Sequence, residues 1–207
     1  MKLIDLSHTI EHGMITYPGL PAPSITTHLS REQSRANYGG EAEFHIARID
    51  MVANTGTYLD APSHRFEGAD DIAGLPLEKI AALPAIVVDH GQPFPDVKDH
   101  AVLIRTNWSR HWGTDAYLHG HPFLTRSDAQ QLAGGGAMLV GIDSLNIDDV
   151  ADLSRPVHTI LLRSGIPVLE HLTGLDQLPK SGFHLFAVPP KVKGMGTFPV
   201  RAFAIVT

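Results

Sequence analysis

The sequence predicts one compact α/β domain with short helices, and three observations predict it. Apolar runs at 85–89 and 101–105 are uninterrupted and bounded by Pro, Gly and Asp, and a third lies at 138–142. Such runs fit strands buried on both faces. Between and after them fall two or three segments with helix-start and helix-stop residues, an alternation that argues for α/β layers. No repeat or linker divides the chain, and 207 residues enclose a full core, so 1–207 reads as a single domain. Periodicity alone leaves a doubly wound sheet open as the alternative.

Each element follows from local chemistry. Residues 3–8 open with a short strand and a polar turn, and the stretch through Pro21 lacks a helical period and reads as a long ordered loop. Residues 24–28 suit a strand, whereas 31–40 is polar, ends in Gly39-Gly40, and reads as mobile or turn-rich. The run 44–52 alternates, with Arg48 and Asp50 giving one face a polar end beside the segment that follows. Pro76 suits the first turn of a short helix over 75–80. Residues 107–118 hold both Trp residues and Tyr117, a lid or, more plainly, an interface. Thr125 or Ser127 can cap a helix that the Gly134–Gly136 triplet ends. A second helix begins near Pro156, runs through His158 and stops at Gly165; a short strand at 166–169 then leads to Glu170. Closing strands at 182–188 and 202–206 flank a flexible connector at 191–197.

Composition narrows the function. Apolar residues make up 43% and charged residues 18%, as in an ordinary globule, and a net charge of −6 without a Lys/Arg cluster excludes nucleic acid as the expected partner. The absence of cysteine removes disulfides, thiolate metal sites and a Cys nucleophile. No apolar run approaches membrane-spanning length and Asp5 falls where a signal peptide needs an apolar core. A cytoplasmic protein without membrane contact is the expectation. The chain has thirteen histidines but no His-Glu-x-x-His helix motif, so any metal site is assembled from distant positions.

The chemistry concentrates at 54–64. Gly56 and Pro62 fix the backbone at two points, and between and after them come Asn54, Tyr58, Asp60 and His64. In an extended run Asn54, Tyr58 and Asp60 share one face, and the turn at Pro62 brings in His64, which would make a polar pocket wall. The plainer reading is a strand-to-turn segment with Asp60 capping the turn and His64 on the surface.

This stretch resembles the signature of the cyclase family, the kynurenine-formamidase-like metal-dependent hydrolases, whose pattern is His-x-Gly-Thr-His-x-Asp-x-Pro-x-His. Gly56, Thr57, Asp60, Pro62 and His64 match it, while Asn54 and Tyr58 stand where the pattern has its first two histidines. The family pairs its signature with a later His and a Glu twelve residues on, a spacing that His158 and Glu170 reproduce. The resemblance implies a β/β/α swivelling-type fold with a mixed sheet. It implies Asp60, His158 and Glu170 as metal ligands, His64 as the proton-transfer residue, and Tyr17 as a pocket wall. It also implies a homodimer or higher homo-oligomer.

Carboxylates and imidazole suit zinc or manganese. An Asn offers only a neutral oxygen, and a Tyr must lose a proton with a reference pKa near 10. The expectation is therefore one divalent ion, or none if the altered site has lost binding. Tyr58 and Asn54 can instead donate hydrogen bonds to an oxyanion. The expected function is hydrolysis of a C–N bond in a small formamide, amide or lactam. The alternatives are a non-catalytic ligand-binding member and a metal-free lyase or isomerase using His64 and Tyr58.

Overall fold

The computed structural model describes residues 1–206. In chain order its strands are β1 (Lys2–Asp5), β2 (Ser24–Leu29), β3 (Ile46–Asp50), β4 (Tyr58–Asp60), β5 (Leu83–Asp89) and β6 (Ala101–Arg105), then β7 (Leu139–Ile142), β8 (Val168–Glu170), β9 (Phe183–Phe186), β10 (Thr197–Pro199) and β11 (Phe203–Val206). The helices are α1 (Arg31–Asn37), α2 (Arg126–Gly134) and α3 (Pro156–Arg163). Nine strands form one sheet in the order β1-β11-β9-β5-β6-β7-β8-β4-β10. The run β5-β6-β7-β8 is parallel and every pairing outside it is antiparallel. The sheet is mixed, which removes the doubly wound alternative.

Alternation along the central strands sorts the core into two layers. Val102, Ile104, Val140, Ile142 and Val168 face α2 and α3, where they meet Leu132, Leu161 and Leu162. Leu103, Leu139 and Leu169 point the other way, toward Leu6, Leu172, Leu175 and Leu185. Fully burying one such side chain contributes about 1.5–3 kcal/mol. No described helix is long and apolar enough to cross a membrane.

Four expectations are corrected. Residues 31–37 form a helix, because Ser30 and Gln33 make a reciprocal capping box that satisfies the first-turn N–H groups; only the Gly39-Gly40 end is a turn. The segment at 75–80 shortens to a single 3₁₀ turn, Leu77–Lys79, with Pro76 just before it. The alternating run 44–52 buries neither face. Its strand β3 pairs only with β2, in a separate two-stranded sheet, and is exposed at every position. The connector 191–197 is pinned rather than loose, since Gly194 N–H donates to Asp71 Oδ2 (2.6 Å) and Ile72 N–H to the Met195 carbonyl (2.8 Å).

Residues 107–118 fold as two 3₁₀ turns and use their aromatics inside the chain. Trp112 stacks on His8 with ring centroids 4.0 Å apart, and Tyr117 is buried.

Candidate active site

The site begins with the register of β4. Its neighbours place Glu170 of β8 opposite Tyr58 and Thr197 of β10 opposite Asp60. Tyr58 and Asp60 share a face while Leu59 turns into the opposite core layer. The Tyr58 hydroxyl donates to Glu170 Oε2 (2.7 Å), and the Thr197 hydroxyl donates to Asp60 Oδ1. Both bonds are cross-strand pairs of the kind that stabilise a sheet.

Two backbone devices frame the motif. Gly56 sits at φ +68°, where a Cβ would come within 2.8 Å of Ile10, so its position demands glycine. Pro62 opens a 3₁₀ turn over Pro62–His64. That turn returns the His64 ring to β10, and Gly196 lets the two backbones meet: a Cβ there would lie 2.6 Å from His64 Cα. His64 Nδ1 lies 2.8 Å from Thr197 Oγ1. Because that hydroxyl gives its proton to Asp60, it accepts from His64 Nδ1–H, and Nε2 carries the lone pair.

His158 arrives on the first turn of α3. Asp148 fixes that turn by accepting from the backbone N–H of Val157 (2.6 Å) and of His158 (3.0 Å), at the positive end of the helix. The same carboxylate holds His158 Nδ1 at 2.6 Å. Nε2 therefore points inward, 3.5 Å from Asp60 Oδ2 and 3.6 Å from Glu170 Oε1. Asp60, His158 and Glu170 bring one donor atom each within 4.8 Å of one another, all buried.

These residues fit a divalent cation. Asp60 Oδ2 is buried with no hydrogen-bond partner, a costly state for a carboxylate oxygen. The two His158 Nε2 distances exceed those of good N–H···O bonds. One nitrogen and carboxylate oxygens are a donor set that zinc and manganese accept. A second ion is poorly served, because Asn54 and Tyr58 replace imidazoles and the Tyr58 proton is engaged with Glu170.

The electrostatics follow from crowding these acidic groups around one imidazole. Burial would lower the His158 pKa, but Glu170, Asp148 and Asp60 together raise it to about 10. Burial pushes Asp60 up, yet hydrogen bonding and charge from His158 and His64, with the Thr197 bond, leave it below the usual range. Glu170 is raised by burial against the opposing charge of His158. Burial, with the charges of Glu170 and Asp60, keeps Tyr58 a neutral phenol far above its ordinary pKa.

Of the seven residues singled out by sequence, six line one cavity of about 290 Å³: Tyr17, Asn54, Tyr58, His64, His158 and Glu170. Asp60 lies behind them, fully buried. Thr197 and Asp148 were not foreseen. Thr197 lay in the supposed connector, with Gly194 and Gly196 as the signal of close approach; Asp148 acts across ten residues and left no periodic trace.

The cyclase family model matches residues 4–101 and 90–149. The chain belongs to the cyclase family. It is 32% identical over 213 residues to a kynurenine formamidase of Bordetella avium, covering 97% of this chain and 96% of that protein. A kynurenine formamidase of Salinibacter ruber is 28% identical, over 98% and 96% of the two chains. Isatin hydrolase A from Labrenzia aggregata, bound to benzyl benzoate, superposes with a TM-score of 0.82 at 26% identity, covering 100% of this chain and 94% of that one. A structure described as a potential metal-dependent hydrolase with cyclase activity gives 0.77 at 25% identity, over 98% and 96%. The curled mixed sheet with three short helices is thus the cyclase-family fold, and this chain is a cyclase-family hydrolase.

Behind the cyclase-family site runs a buried chain of polar rings. His171 Nε2 lies 3.3 Å from the Tyr58 hydroxyl and Nδ1 lies 2.8 Å from that of Tyr117. Tyr58 gives its proton to Glu170, so His171 donates through Nε2 and accepts from Tyr117 at Nδ1. Burial, reinforced by His8, lowers the His171 pKa to about 3, so this ring is neutral. The unfolded chain takes up a proton below about pH 6.5 that the fold refuses. Stability should fall as pH drops from about 6.5 toward 3, by up to about tenfold in the folding constant per pH unit from this group. Urea denaturation between pH 7 and 5 measures it. His171→Gln should flatten the slope by one proton, and an unchanged slope would contradict the assignment.

Proposed function

We propose that this cyclase-family hydrolase cleaves the C–N bond of a small formamide or related amide, with His64 as acid and base. The observation that carries the reading is the Asp60–Thr197–His64 relay. It fixes the imidazole by Nδ1 and turns Nε2 to the cavity, with the side chain 37% exposed.

The His64 Nε2 lone pair accepts a proton from water as its oxygen adds to the carbonyl carbon. The Nε2–H proton then passes to the departing nitrogen as the C–N bond breaks, giving amine and carboxylic acid. Asn54, half-buried in the cavity wall, has an amide that can donate to the developing oxyanion. Tyr17 and Leu20 supply a less polar wall for the substrate's body. Asp60, His158 and Glu170 would hold a zinc or manganese ion. Such an ion polarises a carbonyl and lowers the pKa of water.

A second reading rests on Asn54 and Tyr58, which stand at two positions where the signature has histidine: a ligand-binding member that has lost turnover. Elemental analysis of protein purified without chelator or tag metal, together with turnover of a formanilide panel, separates the two. The expected result is about one zinc or manganese per chain and release of aniline. Bound metal without turnover would favour the ligand-binding reading. Metal-free protein that still turns over would detach catalysis from the acidic cluster.

A further inference from the structure

The turn at 70–74 holds both chain segments that bring His64 and Thr197 together. On one side, Ser63 N–H, in the 3₁₀ turn that bears His64, donates to the Asp70 carbonyl (3.0 Å). On the other, Ile72 N–H donates to the Met195 carbonyl (2.8 Å), and Gly194 N–H donates to Asp71 Oδ2 (2.6 Å). Asp71 is itself fixed. Its Oδ1 accepts from Gly74 N–H (2.9 Å), and its carbonyl accepts from the N–H groups of Gly74 (3.0 Å) and Leu75 (3.1 Å). One carboxylate therefore closes its own turn with one oxygen and reaches a residue 123 positions away with the other.

Thr197 needs such a hold. It is the first residue of β10, a strand of three residues at the edge of the sheet, where only β4 pairs with it. Gly194 and Gly196 precede it and bring backbone freedom rather than side-chain packing. The Gly196 carbonyl accepts from Ala61 N–H (2.8 Å), and Met195 packs on the core. Among the described residues, Asp71 is the only one whose side chain hydrogen-bonds to 191–196. A bond from a backbone N–H to a carboxylate is stronger than one between neutral groups. The Asp71 carboxyl is accordingly held below its usual range, with the Gly194 N–H as the largest cause.

We propose that Asp71 is a positioning residue for His64: by tethering the connector at Gly194 it keeps Thr197 where its hydroxyl accepts from His64 Nδ1–H. Among the described residues no hydrogen bond joins Asp71 to His64 or Thr197 directly, so the action runs through the backbone of 194–197. With the tether cut, β10 frays from its first residue and the imidazole loses the acceptor that selects its tautomer. Nε2 then carries the proton in part of the molecules, and those molecules present no lone pair to the cavity. The consequence for catalysis rests on the acid–base role of His64 in the hydrolase reading above; the tether does not.

Nitrogen-correlated NMR spectra of the imidazole rings read the tautomer without requiring turnover. Isotopically labelled protein is dialysed against zinc, which avoids paramagnetic broadening, and studied in mildly alkaline buffer, where an ordinary imidazole is neutral. The His64 signals are those absent from His64→Ala. Wild type should show His64 protonated at Nδ1, and the Gly194 amide should exchange slowly despite its exposure. Asp71→Ser keeps a hydroxyl for the local turn but has one oxygen where two are needed. It should speed Gly194 exchange by at least about tenfold and turn His64 into a mixture of tautomers. On a formanilide, kcat should fall by about 10- to 100-fold with KM within about twofold. Asp70→Asn removes an adjacent charge, keeps the carbonyl that holds Ser63, and should leave every readout as in wild type. A wild-type ring protonated at Nε2, an unprotected wild-type Gly194 amide, or an unchanged tautomer in Asp71→Ser would each overturn the proposal, and the first two require no variant to fold. An equal tautomer change in Asp70→Asn would overturn it too, since charge rather than the tether would then act. A tautomer change in Asp71→Ser with no wild-type turnover, or with undiminished turnover, would count against the hydrolase reading or the role of His64 in it and leave the tether intact.

Discussion

Replacing His64 by alanine is expected to lower kcat/KM on a formanilide by about 10²- to 10⁴-fold, the usual contribution of a positioned acid–base group. The fold and the metal content should not change. The ring is more than a third exposed and its one hydrogen bond is to Thr197, so truncation opens no core cavity and leaves no buried charge without a partner. Thr197 keeps its bond to Asp60 in the variant. Circular dichroism and elemental analysis should therefore match wild type while turnover collapses. Added imidazole should restore part of the rate, since it returns a base to a site whose other parts are in place. Activity within about twofold of wild type would remove His64 from the chemistry.

Removing the Asp148 carboxylate should act on two quantities at once. Asp148→Ala takes away the acceptor of two N–H groups at the start of α3 and the partner of His158 Nδ1. The lost cap costs about 0.5–2 kcal/mol, and an unrestrained ligand imidazole lowers metal affinity by about 10- to 100-fold. The two effects can be told apart. Asp148→Asn keeps an oxygen that can cap the helix but lacks the charge that Asp148 places beside the imidazole. Its stability should lie close to wild type while metal affinity stays low. If the Asn variant recovered both, capping alone would explain the residue.

Much of this was legible from the chain because the motif residues are local. Tyr58 and Asp60 lie two apart on a strand, Pro62 turns the backbone, and the result is the shared pocket face that spacing implies. The pairing of His158 with Glu170 became legible through resemblance: twelve residues of helix, turn and strand separate them, and no period links a helix's first turn to the end of the next strand. Thr197, Asp148 and the tether at Asp71 stayed hidden for a related reason. Each acts across the sheet or onto a loop, through contacts that depend on register rather than sequence interval. The capping box at Ser30 and Gln33 was different: it is a local signal, and the polar character of 31–40 masked it.

The position of Thr197 on β10 also bears on when the protein becomes competent. Asp60, at the centre of the cluster, emerges early during synthesis, yet its hydroxyl partner comes 137 residues later. β11, which follows β10, must in turn pair with β1 from the very start of the chain. Closing such distant contacts is slow compared with forming a helix or hairpin. Asp60 and His64 thus gain their shared hydroxyl partner only once β10 has docked. The site is therefore completed by the last strands of the sheet rather than by the local motif alone.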